Sequence, residues 1–344
     1  MLPRMNLQSH SIIVIGSSAG GVPALKELVK SFTKDFAASI FIVQHLAANK
    51  VSYLPEILSS HGPLPARHPR DGEQISKGII YVAPPDHHMI IENEHISIKR
   101  GPKENNFRPA IDVTMRSAAY WHADQVIAAV LTGYLSDGSS GLWSVQQLGG
   151  TTIVQSPEDS PYPDMPRNAL ERVDPDYILP LKDIGPLINT LVTQPAKRNR
   201  VENDVLKTRM KVEIEIAGQK NALSRGIHHM GEKTDLTCPE CGGALTSFQE
   251  GSNVRYRCHT GHGFSSSSLW LGINESVEAK LWQAMRSMEE GILFLEQAVT
   301  RCELSGNQDH ARDFEEKADI LRSRSKALLD YIYTQGQVND ITLS

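Results

Sequence analysis

Three residues of this chain have the types and settings that acyl transfer requires: Ser18, His45 and Asp137. Ser18 is the central residue of Gly16-Ser17-Ser18-Ala19-Gly20, which fits the G-x-S-x-G pattern of a nucleophile set on a sharp strand-to-helix turn. The apolar run Ile12-Ile13-Val14-Ile15 precedes it and Val22 to Lys30 has helical spacing, so strand, turn and helix are expected in that order. Glycines at such a turn permit close backbone approach. Ser18 then lies beside a helix N-terminus, where unpaired N–H groups, that of Ala19 among them, favour a developing oxyanion. His45 closes the apolar run that starts at Ala38, and Asp137 follows the run from Val126 to Leu131. Together they supply the base that takes a serine proton and the carboxylate that fixes the imidazole tautomer.

Spacing alone leaves other assignments open. A glycine-rich turn can serve close packing only, His45 can be a structural histidine at a strand end, and Asp137 suits the cap of a helix starting at Gly138. Asp86, His87 and His88 also stand in a loop after a strand. Two phosphate-binding alternatives fail: the second glycine of G-x-G-x-x-G is missing, and no G-K-[ST] follows.

Residues so far apart in the chain need a sheet to bring them together. From residue 11 to about 193, short apolar runs alternate with helical stretches, the pattern of a largely parallel sheet with helices on both faces. Loops at the carboxyl ends of such strands gather in one crevice. Residues 78 to 99 read as β-hairpin material, Pro109 to Trp121 as a helix, and Thr151–Gln155 and Tyr177–Pro180 as further strands. The chain order Ser, His, Asp differs from the Ser, Asp, His order of α/β-hydrolases.

Composition narrows the class. The 344 residues allow two domains or more, and a net charge of −5 gives no basic field for nucleic acid. No run of eighteen apolar residues argues for membrane insertion, and the N-terminus lacks the apolar centre of a signal peptide. Three of the four cysteines cluster near a histidine pair, which points to a reduced, cytoplasmic setting and to metal binding rather than disulfides.

Six motifs carry a family resemblance: Ile-Gly-Ser-Ser-Ala-Gly-Gly at 15–21, Val-Gln-His at 43–45, Tyr-Val-Ala-Pro-Pro-Asp-His-His-Met at 81–89, Arg-Pro-Ala-Ile-Asp-Val at 108–113, Leu-Thr-Gly-Tyr-Leu-Ser-Asp-Gly at 131–138 and Asp-Met-Pro-Arg-Asn-Ala at 164–169. Together, over about residues 10 to 193, they resemble the catalytic domain of the chemotaxis protein-glutamate methylesterases (CheB type). The resemblance implies an α/β fold with a doubly wound, mostly parallel sheet and a hairpin. It also implies hydrolysis of glutamate methyl esters on chemoreceptors, with glutamine deamidation as a second activity. The nucleophile, base and acid then fall on Ser18, His45 and Asp137, with Ala19, Gly20, Arg108 and Met165 as the oxyanion and substrate-binding set. For Arg108 a structural salt bridge is an equal alternative to orienting a carboxylate-rich substrate helix. The implied partners are methylated receptor helices, with a separate receiver or methyltransferase as a further candidate. Family members that carry a receiver domain place it before the catalytic part, whereas the catalytic motifs here begin near residue 11, so the resemblance does not extend to phosphorylation control in cis. Tyr134 and Leu135 stand where members often have Met and Gly, which bears on selectivity. A catalytically idle signalling scaffold, binding receptors through the same cleft, is the competing expectation.

The C-terminal half has a different character. From Gln194 to Lys233 apolar periodicity fades and charge rises, so 194–233 is expected to be a linker, with Val201 to Ala217 as a short helix or strand. Residues 234–268 contain C-x2-C-x16-C-x3-H, formed by Cys238, Cys241, Cys258 and His262, the spacing of a structural zinc ribbon with one ligand exchanged. His259 is the alternative fourth ligand, and free thiols without metal are the plainer possibility. Four protein ligands close the site and make Zn2+ structural, leaving catalysis without a cofactor. Cys302 is expected to be a small buried residue. Residues 269–344 read as a helical hairpin, Trp270 to about Cys302 and Asp309 to about Tyr333, broken at Ser305-Gly306-Asn307. Val277, Leu281, Met285, Met288, Ile292 and Leu295 form a face that packs within the hairpin, in a homodimer or on receptor helices.

Overall fold

Both alternate positions of the central strands are apolar, and a strand of that kind is stable only with cover on its two faces. The computed structural model, which describes residues 11–46, 50–193 and 203–335, supplies that cover. In chain order the elements are β1 (Ile12–Ser17), α1 (Gly21–Lys30), β2 (Ser39–Gln44), α2 (Leu54–His61), β3 (Ala66–Arg67), β4 (Glu73–Gln74), β5 (Ile80–Val82), β6 (His88–Glu92) and β7 (His95–Lys99). They continue as α3 (Ile111–His122), β8 (Val126–Val130), α4 (Ser139–Gln147), β9 (Thr151–Gln155), α5 (Asp164–Leu170), β10 (Tyr177–Leu179) and α6 (Leu181–Thr193). Seven strands form one sheet in the order β10-β9-β8-β1-β2-β5-β3, and every pairing in it is parallel.

Period-two alternation divides the core. Ile12, Val14, Phe41, Val43, Ala128 and Val130 face one side with Val113 and Met115 of α3 and Leu142 of α4. Ile13, Ile15, Ile40, Ile42, Ile127 and Ala129 face the other with Leu25 and Leu28 of α1, Leu58 of α2 and Ile188 of α6. The chain proceeds from β1 towards β2 and β5 on one side and resumes at β8, β9 and β10 on the other. β1 and β8 therefore flank the switch point at which such sheets open a crevice.

The stretch 78–99 is split rather than one hairpin unit. Ile80–Val82 joins the parallel sheet, because Ile80, Tyr81 and Val82 are all buried and need cover on both faces. Only β6 and β7 pair as a hairpin, with β4 added beside β7.

Beyond the sheet come α7 (Asp204–Ala217), β11 (Glu232–Thr237), β12 (Ala244–Glu250), β13 (Asn253–Cys258), β14 (Gly263–Ser265), α8 (Ser266–Leu304) and α9 (Gln308–Gln335). The stretch expected as a linker therefore contains a helix. Asn203 caps α7 by accepting the Leu206 N–H, and Leu206, Met210, Ile214 and Ala217 join the core on the α3 side of the sheet. Glu213 is buried in the middle of that stripe, which is why its periodicity reads as charged and loop-like. Residues 194–202, where the linker begins, and residues 1–10, to which the signal-peptide reading applies, lie outside the described residues. Strands β11 to β14 form a separate antiparallel sheet.

The chain divides into two compact units, Met1–Leu269 and Trp270–Ser344. In the second, α8 and α9 run antiparallel. Arg322 pairs with Glu296 at 2.8 Å, Ser325 Oγ lies 3.4 Å from Met285 Sδ, and Trp282 meets Tyr333 edge-on. The break falls at Gly306, whose φ of 75° suits a glycine. Among the described residues no helix is long and apolar enough to cross a membrane.

Candidate active site and Cys3His cluster

β1 ends at Ser17, and the turn that follows is held from three sides. The Ser18 N–H donates to the Thr132 carbonyl at 3.0 Å, and the Gly21 N–H to the Ser18 carbonyl at 2.9 Å. Gln44 Nε2 donates to the carbonyls of Ser18 and His45, while its Oε1 accepts from Ser17 Oγ at 2.7 Å. Gly20 has φ 73°, a conformation that costs a glycine little. A Cβ on Gly133 would stand 2.7 Å from Ser18 Cβ, so the β8 loop can approach the serine only because Gly133 has none. Among the described residues neither the Ala19 nor the Gly20 N–H has an acceptor, and both precede the first residue of α1.

His45 leaves β2 on the same edge. Its Nδ1 is 3.3 Å from Ser18 Oγ and its Nε2 is 2.8 Å from Asp137 Oδ2. The two nitrogens are exchanged relative to the serine-protease arrangement, but one still faces the hydroxyl and the other the carboxylate, which is what proton transfer needs. A span of 3.3 Å is long for an O–H···N bond and typical of a site without substrate. Phe107 stacks on the imidazole with centroids 3.7 Å apart and planes 10° from parallel, which fixes the ring against rotation.

Asp137 is fully buried and does not cap the helix that follows it. It accepts the N–H groups of Ile111 at 2.6 Å and Asp112 at 3.2 Å, the first residues of α3, and Asn105 Nδ2 at 3.0 Å. Asp112 in turn accepts Gly138 and Gly141 N–H at the start of α4 and a second bond from Asn105 Nδ2. Each carboxylate thus sits on the positive end of the helix that begins beside the other. Burial alone would raise the Asp137 pKa, but the hydrogen bond and charge of His45, with the donors Ile111 and Asn105, outweigh it and hold the pKa below the ordinary carboxylate range. Asp112 goes the other way: burial first, then the charge of Asp137, push it up to about 7.

The remaining expected site residues divide. Met165 is fully buried against Gly133 and donates its N–H to the Gly133 carbonyl, so it props the turn from beneath. Arg108 is engaged at all three nitrogens: Nε and Nη2 donate to Asp86 and Nη1 to the Gly101 carbonyl at 2.6 Å. The salt bridge with Asp86 is thus present, while one N–H on each of Nη1 and Nη2 is left over from these bonds. Asp86 also pairs with Arg100, and the buried His88 bonds to the Pro102 carbonyl, so the rival set after β5 forms its own cluster. Tyr134 stands half exposed at the rim, edge-on to Tyr162.

Asn105, Phe107, Gln44 and Thr132 escape sequence reasoning. Asn105-Asn106 carries a turn signal, since both residues have positive φ. Nothing in its spacing points to partners more than 150 positions away.

Cys238, Cys241, Cys258 and His262 converge, their ligand atoms all lying within 4.8 Å of one another. Cys241 Sγ is 3.7 Å from Cys258 Sγ, and His262 Nδ1 is 3.7 Å from Cys238 Sγ and 3.6 Å from Cys258 Sγ. A tetrahedron with metal–sulfur bonds of about 2.3 Å has sulfur–sulfur edges of about 3.8 Å, close to these three separations, so the donor set could hold a metal ion. The converging histidine is His262, while the His259 ring lies over Gly243. Cys302 is partly buried and free.

Between this sheet and the larger one lies a buried ionic cluster. Glu104 accepts from Arg116 at 2.6 Å, Arg255 at 2.6 Å and Arg257 at 2.7 Å. Glu213 of α7 accepts from Arg255 at 3.0 Å and Arg257 at 2.8 Å, and Glu250 accepts from Ser140 at 2.6 Å and pairs with Arg255. None of these six ionised residues is more than 4% exposed.

Comparison with known proteins agrees with this geometry. The CheB methylesterase family model matches residues 13–188. A relative in Leptospira interrogans described as a putative protein-glutamate methylesterase/protein-glutamine glutaminase is 36% identical over 180 residues, which cover 52% of this chain and 93% of that protein. A Thermotoga maritima protein-glutamate methylesterase/protein-glutamine glutaminase is 34% identical over 188 residues, 54% of this chain and 55% of the relative. The crystal structure of the T. maritima CheB methylesterase catalytic domain superposes with a TM-score of 0.52 at 33% identity, covering 53% of this chain and 98% of that domain. With a serine, histidine and aspartate joined at the switch point of its sheet and the family model spanning half its length, the chain belongs to the CheB methylesterase family.

Proposed function

We propose that this chain hydrolyses methyl esters of glutamate side chains on methyl-accepting chemoreceptor helices, releasing methanol, and converts certain receptor glutamines to glutamate as a second reaction. The hydrogen-bonded line from Ser18 Oγ through His45 to Asp137 carries the proposal. Ser18 attacks the ester carbonyl while His45 Nδ1 takes the hydroxyl proton, and Asp137 holds the imidazolium at Nε2. The carbonyl oxygen becomes an oxyanion facing the Ala19 and Gly20 N–H groups at the start of α1. Collapse breaks the ester C–O bond, His45 returns its proton to the leaving oxygen, and methanol departs. Water, deprotonated by His45, then cleaves the acyl-enzyme to glutamate and free Ser18.

Cys238, Cys241, Cys258 and His262 would hold a zinc ion, which in a closed four-ligand site contributes folding energy and no catalysis. Three cysteines kept as thiolate ligands suit a reducing, cytoplasmic setting.

Ser18→Ala is expected to lower methanol release from methylated receptor by at least about 10³-fold with no change in melting temperature. Release near the wild-type rate would remove Ser18 from the reaction. A protein that only binds receptors would release no methanol before substitution either. For the metal, protein purified without chelator should carry close to one zinc per chain, and Cys241→Ser should lower both zinc content and melting temperature; unaltered values would assign the cluster to free thiols.

A further inference from the structure

We infer that Asn105 is a positioning residue of the Ser18–His45–Asp137 line, and that the C-terminal sheet and the first turn of α8 set its orientation. The extension is then part of the working centre and not an appended module. This inference rests on the esterase proposal.

The turn Glu104–Phe107 closes on itself through reciprocal backbone bonds of 3.1 and 3.0 Å, with φ of 53° at Asn105 and 71° at Asn106. Each of its four residues is held, and three are held from the C-terminal side. Glu104 is gripped by Arg255 and Arg257 of β13, and the Asn105 N–H donates to the Gly263 carbonyl at 2.8 Å. Asn106 Nδ2 donates to the Ser268 carbonyl at 3.1 Å. Phe107 supplies the face on which His45 stacks. One short turn therefore touches β13, β14 and α8 on one side and both His45 and Asp137 on the other.

Asn105 is 1% exposed, and its amide has its full complement of partners. Nδ2 donates to Asp137 Oδ1 at 3.0 Å and to Asp112 Oδ2 at 2.8 Å. Oδ1 accepts the Ser265 N–H at 3.0 Å and the Ser268 hydroxyl at 3.2 Å. The opposite amide orientation would press Oδ1 against two buried carboxylates and point Nδ2 at the Ser265 N–H. The two serines of the extension thus dictate that the NH2 group faces Asp137 and Asp112, where it separates two acids that burial would otherwise set against each other. A second tie lies one residue from Asp137: Ser136 Oγ is 2.8 Å from Ser265 Oγ and 2.9 Å from Ser267 Oγ. The other charged groups near this pair are His45, His88, Glu104, Arg116, Arg172 and Arg255.

Two variants of the full-length protein test this, with methanol release and Ser18 labelling by a fluorophosphonate probe as readouts. Asn105→Asp keeps the side-chain volume, the tolerance of positive φ and the acceptor for the Ser265 N–H, but replaces the donor by a third carboxylate. We expect kcat to fall about 100-fold with KM within twofold, probe labelling to slow in parallel, and the acid limb of kcat/KM to move to higher pH because the acid cluster retains a proton. Ser268→Ala leaves every group at the crevice in place and should lower kcat several-fold with the acid limb moving the same way. It decides the question if Asn105→Asp fails to fold. Wild-type kcat and an unmoved acid limb in either folded variant overturn the inference, as does a loss equal at every pH, which would mean only fewer folded molecules. Wild-type protein that neither releases methanol nor takes up the probe overturns the esterase proposal as well; active wild type with unaffected variants overturns this inference alone.

Discussion

Helix α3 is packed by opposite physics on its two sides. Towards the seven-stranded sheet it presents Val113, Met115 and Ala118, which join Val14, Phe41 and Val130 in an apolar core. Away from the sheet it presents Arg116, buried among Glu104 and Glu213 with Arg255 and Arg257 beside it. The first contact is non-directional and tolerates small shifts in shape. The second works only when every charge has its counter-charge, because an isolated ion in such a place costs several kcal/mol. The C-terminal sheet is therefore joined to the catalytic sheet by matched charges more than by oily contact, and its position is specified where an apolar seam would leave it free to slide.

The sharpest way to break this contrast is to remove one charge. Arg255→Ala leaves Glu104, Glu213 and Glu250 short of a cation and should cost about 3–5 kcal/mol, read as a lower urea midpoint. The loss should appear first in β12 and β13 by hydrogen exchange. A cost below about 1 kcal/mol would mean that apolar contacts hold the sheet in place.

That division also marks what the chain discloses before it folds. The strands β1, β2 and β8, the elbow at Ser18 and the strand-end positions of His45 and Asp137 follow from period-two apolar runs and turn chemistry, which are local. So do the two long helices and the convergence of Cys238, Cys241, Cys258 and His262, whose ligand spacing is itself a local rule. Glu213, Arg255 and Arg257 are not legible, because a charged residue in a strand or helix reads as solvent-facing until its partners are known, and those partners lie up to 153 positions away. The same holds for Asn105, and it explains why α7 reads as a linker. Arg108 has two equal readings in the sequence, and the ion pair with Asp86, a partner 22 positions earlier in the chain, is the one that spacing alone could not select.

Acid should separate the two sides next. For Glu213, burial alone would raise the pKa, but Arg116, Arg255 and Arg257 bring it down to about 2, and Glu104 is held well below the usual range by the same three cations. Because these folded values lie under the unfolded one near 4.5, the unfolded chain takes up more protons as pH falls. Stability from the cluster is full above about pH 4.5 and is lost progressively as pH drops towards about 2. Urea midpoints taken from pH 6 to pH 3 should fall in wild type, and the fall should be shallower in Glu213→Gln. A smaller effect is expected on the apolar side: Ile13→Val removes one methylene from the α1 side of the sheet and should cost about 0.5–1.5 kcal/mol with the same urea-midpoint difference at pH 6 and pH 4.

The smallest effect is expected where the chemistry looks most alike. Arg322 in α9 also has three acidic partners, Glu296 at 2.8 Å, Asp319 at 2.6 Å and Glu315 at 3.4 Å, a count and geometry close to those of Arg255. The difference is solvent: the Arg322 side chain is 38% exposed and that of Arg255 is 1% exposed. Water already solvates the ions around Arg322 and screens them, so forming the pairs gains little and breaking them leaves nothing uncompensated. Arg322→Ala should therefore leave the urea midpoint of the hairpin within measurement scatter, and added salt should not change that. If it destabilised the protein as strongly as Arg255→Ala, the number of ionic partners would be governing both sites, and burial could not be what makes the cluster between the two sheets hold.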